Sequence, residues 1–74
     1  MTIADAIALL DTLIATAPSP EQARRYEIER QAHRDVQAGR PYNGKSYLHA
    51  NDWAAYNQGY VDATARLIEE GRRP

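Results

Sequence analysis

The stretch Ile3-Ala4-Asp5-Ala6-Ile7-Ala8-Leu9-Leu10-Asp11-Thr12-Leu13-Ile14-Ala15-Thr16-Ala17-Pro18-Ser19-Pro20 decides the fold class. Ile3, Ala6, Ile7, Leu10, Leu13, Ile14 and Ala17 recur at intervals of three and four, the spacing of one face of an α-helix, while Asp5, Asp11 and Thr12 fall elsewhere. Thr2 followed by Asp5 reads as an N-cap with an acidic first turn. The two prolines then stop the helix and, with Ser19 as cap and Pro20 at the first helical position, start the next one.

Working outward, the spacing predicts three helices, roughly 3–17, 20–38 and 51–70, with no alternating strand pattern and no internal repeat. Gly39 and Pro41 end the second helix and Gly71 the third. Helix two is polar, with Ile28, Ala32 and Val36 as a narrow apolar stripe and Tyr26, Arg30 and His33 on another side; His33 reads as a surface residue. Helix three carries Trp53, Tyr56, Tyr60, Thr64 and Leu67 on one face, widened by Val61 and Ile68, and this face reads as the aromatic half of the core. Either Ser46 or Asn51 would cap it. The fold class is therefore all-α, a small three-helix bundle forming a single helical domain over residues 1–74.

That core is thin. Of the 74 residues only 13 are large Ile, Leu, Val or Trp side chains, and there is no cysteine for a disulfide and no Cys/His cluster for structural zinc. A chain of this size gains only about 3–5 kcal/mol from one core. Self-association is the expected remedy, a homodimer paired through the seam Ile3, Ile7, Leu10 and Ile14. The absence of cysteine, of a basic leader ahead of an apolar run and of any 18-residue apolar stretch points to a cytoplasmic chain with no membrane partner.

The formal charge is −1, unevenly spread: residues 1–22 hold three acids and no cation, whereas residues 23–45 hold six cations against Glu27, Glu29 and Asp35. Eight of the nine cations are arginine, whose forked guanidinium suits carboxylate and phosphate. Gly39-Arg40-Pro41-Tyr42-Asn43-Gly44-Lys45-Ser46 matches the phosphate-loop pattern G-x-x-x-x-G-K-[ST]. The buried strand that such a loop follows is missing, so nucleotide hydrolysis is not expected; Gly44, Lys45 and Ser46 retain the makings of a contact to one phosphate. Two histidines and two serines, the latter better used as caps, give no nucleophile with its base, and no three ligands suit a metal. A non-enzyme without cofactors is the expectation.

Tyr42, Tyr47, Trp53, Tyr56 and Tyr60 lie within 19 residues. Tyrosine and tryptophan beside arginine are the usual anchors of protein interfaces and also stack on exposed bases. The expected partner-binding surface is accordingly Arg30, Arg34, Arg40, Tyr42, Lys45 and Tyr47, formed by helix two and the 39–50 loop. The expected function is binding, and thereby regulation or inhibition, of a protein partner. In size and composition the chain resembles small regulators encoded by phages and other mobile elements, including anti-CRISPR-type proteins.

Ala32-His33, Gln37-Ala38-Gly39-Arg40, Pro41-Tyr42, Trp53, Gly59-Tyr60 and Asp62-Ala63 give residues 32–63 a second likeness. In that order they resemble the bacterial ribosome modulation factor family, small helical proteins that silence ribosomes. The resemblance implies an alternative function, ribosome or RNA binding, with Arg40, Tyr42, Lys45 and Trp53 as the positions to test. The departures are a missing spacer before Pro41-Tyr42, a tryptophan farther from the Gly-aromatic pair, the additional leading helix, and a slightly acidic chain where a ribosomal RNA ligand is basic.

Overall fold

The computed structural model describes residues 1–71 and contains three α-helices, α1 (Ile3–Ala15), α2 (Pro20–Gln37) and α3 (Ala50–Gly71), with one short 3-10 turn, Gly44–Ser46. No strand occurs among the described residues. The expected all-α, three-helix bundle is thus the observed one. No helix among the described residues is long and apolar enough to cross a membrane.

Each helix begins where its local chemistry dictates. Thr2 Oγ1 accepts from Asp5 N at 3.0 Å while Asp5 returns a bond to Thr2 N, a complete capping box. Ser19 Oγ accepts from Gln22 N at 3.2 Å, and Pro20 follows it. α2 ends in a Schellman motif: Gly39 sits at φ +72°, its N–H bonds Val36 O at 3.1 Å, and Arg40 N bonds Asp35 O at 2.8 Å. The first turn of α3 is closed by Trp53 N on His49 O at 2.9 Å. Neither expected cap serves it, since Ser46 is turned onto Asn43 Oδ1 at 2.9 Å and Asn51 already lies inside the helix.

α2 is the middle helix of a flattened bundle, 40 × 28 × 15 Å, with α1 on one flank and α3 on the other. α1 runs antiparallel to α2, pairing Asp11 with Arg30 at 2.5 Å and Ile3 with Val36. α2 and α3 run parallel, because Arg24 meets Asp52, Ile28 packs with Ala55 and Tyr56, and Val36 packs with Ala63. α1 and α3 meet where Ile3 N donates to Glu70 Oε1 at 3.0 Å, a carboxylate at a helix N-terminus.

Two corrections follow from this packing. Ile3 and Leu10, expected to pair with a second copy, are buried inside one chain, and Ile7 and Ile14 are half-buried, so the α1 seam is spent on its own core. The buried face of α3 is also not the aromatic one. It consists of Ala55, Tyr56, Gly59 and Ala63, rotated by roughly a quarter turn from the expected face, while Trp53, Val61, Leu67 and Ile68 remain exposed.

Small residues bring α3 close to α2. A Cβ at Gly59 would lie 2.7 Å from Glu29 O and 2.9 Å from Glu29 Cα, atoms of the facing helix backbone. Gly59→Ala is expected to destabilise the fold by about 1–3 kcal/mol, as overpacking does. That reverses the gain of up to about 1 kcal/mol that alanine ordinarily brings to a helix interior. Gly71→Ala, where nothing lies within 4 Å, is the control and is expected to leave stability unchanged or raised. Thermal denaturation followed by circular dichroism checks the pair.

Candidate functional site

The loop between the parallel helices has to return from the end of α2 to the start of α3, about 27 Å for an 18-residue helix. It is held on its way by one buried acid. Asp35 accepts from Tyr56 Oη at 2.7 Å, from Gln31 Nε2 at 2.9 Å and from Arg40 Nε at 2.8 Å. Burial works against its charge, but these donors outweigh that cost and hold the Asp35 carboxyl below the usual carboxylate range. Tyr56, fully buried, has its hydroxyl pushed well above the ordinary tyrosine value by burial and by donating to Asp35. The same oxygen accepts from Asn43 N at 3.1 Å, so one hydroxyl ties α2, α3 and the loop together.

Around that oxygen the tyrosines assemble. Tyr47 stacks on Tyr56 with ring centroids 4.9 Å apart, and Tyr42 meets Tyr56 and Tyr60 edge-on at 5.5 and 5.3 Å. Tyr42 also donates to Asn57 Oδ1 and lies over Gly44, where a Cβ would collide with its ring. The second glycine of the phosphate-loop pattern is therefore explained by Tyr42, and the segment ahead of the loop is helix rather than strand.

The six residues expected to bind a partner separate into two kinds. Arg30 is paired with Asp11, Arg40 with Asp35, Tyr42 with Asn57, and Tyr47 is half-buried, its hydroxyl pushed up by burial. These four fasten the fold. Arg34 and Lys45 are exposed and make no ion pair among the described residues. Arg24, outside that set, is held by Asp52 through both oxygens.

His33 corrects the sequence reading, being buried rather than at the surface. Its Nδ1 lies 2.8 Å from Glu29 O, an acceptor, so Nδ1 is the donor of that bond, and Nε2 is buried without a hydrogen-bond partner. No group of three or more metal-ligating side chains occurs among the described residues.

Two surfaces remain open. An open groove of about 1150 Å³ lies between the N-terminal ends of α2 and α3, bordered by Arg25, Leu48, His49 and Gln58. Leu48, which sequence reasoning passed over, is 96% exposed at its edge. The second surface is the outward face of α3, with Trp53 50%, Val61 64%, Leu67 47% and Ile68 49% exposed. Comparison with family models, with curated proteins and with solved structures finds no match. The likeness of residues 32–63 to ribosome modulation factors thus rests on its short motifs alone.

The Asp35 hub makes stability depend on acid. A carboxyl whose folded pKa lies below its unfolded value of about 3.9 contributes fully above that pH and loses its contribution as pH falls through the folded value. Glu29, pushed up by burial, titrates in the opposite sense, its penalty easing as it protonates. Asp35→Asn and Tyr56→Phe are each expected to lower stability by about 1–3 kcal/mol at neutral pH. Asp35→Asn is further expected to flatten the fall of the urea midpoint below about pH 4.

Proposed function

We propose that this chain is a non-catalytic, protein-binding domain that regulates or inhibits by occupying another protein surface, and that its binding surface is the outward face of α3. The observation that supports this reading is the set Trp53, Val61, Leu67 and Ile68, four large apolar side chains 47–64% exposed on one helix of a chain whose core is small. Several large apolar side chains exposed on one helix mark an interaction surface when they gather into a patch, and tryptophan is a frequent anchor of interfaces.

The alternative of a ribosome or RNA ligand calls on cations, and three of them already have acids to answer to: Arg24 with Asp52, Arg30 with Asp11 and Arg40 with Asp35. Arg25, Arg34 and Lys45 are exposed and stand outside those three pairs; Arg34 and Lys45, from the expected surface, are the two that test such a ligand.

Trp53→Ala and Val61→Arg are expected to keep the helical circular dichroism spectrum while abolishing association with protein partners. An Arg34→Glu/Lys45→Glu double variant is expected to keep that association. Affinity capture from bacterial lysate, with and without ribonuclease, reads both. Capture that is lost on ribonuclease treatment or on reversing the two charges, and indifferent to Val61→Arg, overturns the reading in favour of RNA.

A further inference from the structure

The outward face of α3 has a pattern that suits one occupant. Ala50, Ala54, Asn57, Val61, Thr64 and Ile68 follow one another at intervals of four and three residues, and Gly71 continues the series. This is the spacing of a coiled-coil seam carried over three heptads, with Val61 and Ile68 as its large apolar members and small or polar residues at the other positions. The flanking positions are Trp53, Tyr60 and Leu67 along one edge and Gln58 and Ala65 along the other. The whole face therefore lacks a charged residue, whereas Asp52, Asp62, Arg66, Glu69 and Glu70 all lie around the other side of the helix.

Building on α3 as the binding face, we infer that in the free protein a second copy of this chain covers it, paired antiparallel along α3 about a two-fold axis at the level of Val61. With that register, Ala54 of one copy lies beside Ile68 of the other and Val61 beside Val61 along one side of the seam, so that bulky residues meet small ones or their own kind. Along the other side Asn57 lies beside Thr64 and Ala50 beside Gly71. Polar therefore meets polar, and the donors and acceptors match. Asn57 Oδ1 is taken by Tyr42, which leaves its amide N–H₂ to donate; Thr64 Oγ1 donates to Tyr60 O at 2.8 Å, which leaves its lone pairs to accept. A single asparagine in such a seam fixes register at a cost in stability. Self-complementarity of this kind is what a two-fold interface requires, since each patch has to fit its own copy reversed.

The chain has no cysteine, so single substitutions report the geometry. Sedimentation or light scattering at about 100 μM is expected to give a dimer mass for the natural sequence and a monomer mass for Val61→Arg. In the antiparallel register Val61→Cys forms a disulfide with its own copy under mild oxidation, and Thr64→Cys, about 10 Å from its own copy along the axis, does not. Ala54→Cys and Ile68→Cys alone do not either, because each stands about 21 Å from its own copy along the axis. The two mixed together do. Self-linking of all four overturns the antiparallel register. A monomer mass for the natural sequence overturns the second copy as occupant; if capture of another protein in that case still depends on Val61, the binding face itself stands, and if it does not, that reading falls as well.

Discussion

A carboxylate deprived of water must be supplied with donors, and the arrangement of this protein follows from how Asp35 obtains them. Its three donors come from three places: Gln31 one turn earlier on α2, Arg40 just past the end of α2, and Tyr56 on α3. The Schellman motif at Gly39 turns the chain so that Arg40 can fold back onto the acid it has just passed. With α3 lying parallel to α2, Tyr56 reaches Asp35, and its oxygen also catches Asn43 N in the returning loop. Removing the tyrosine hydroxyl would leave both a buried carboxylate and a backbone N–H short of a partner, which costs more than one hydrogen bond is worth.

That hub explains why the cations and tyrosines of the loop look like a binding surface in the sequence yet serve mostly as fasteners. Arg40 and Tyr47 have the composition of interface anchors, but composition does not say which partner is nearer. An internal acid twenty-one residues from Tyr56, and an aspartate across the bundle for Arg30, are long-range pairings that periodicity cannot reveal. Helix boundaries were legible because caps and stops are local: Thr2, Ser19, Pro20 and Gly39 act on their immediate neighbours, and each sits where its chemistry places it.

The buried face of α3 was misread for an instructive reason. The helix carries two apolar sides, one large and aromatic, one of small residues, and size alone favours the first as core. Parallel packing beside α2 favours the second, since Gly59 and its neighbours Ala55 and Ala63 allow the helix backbones to approach where a Cβ would already collide. Tyr56 alone belongs to both sides and fills the space the small residues leave. His33 was misread similarly: a polar helix surrounded on two flanks has few truly external positions, and its ring is covered despite an unpartnered nitrogen.

Placing α2 in the middle has a consequence for the outer helices. In a bundle where each helix touches both others, an apolar stripe on any of them finds cover; here α1 and α3 meet only at the end where Ile3 packs near Ala63, so along the rest of their length each has α2 as its helical neighbour. α1 covers its seam this way and leaves Leu9 exposed. α3 carries apolar residues on two sides, and those not covered by α2, Trp53, Val61, Leu67 and Ile68, face outward. Charged residues are the ordinary means of keeping such a face in water. They are present on α3 in number, yet every one lies on the remaining arc, which leaves the outward arc free of the charges that would resist a partner.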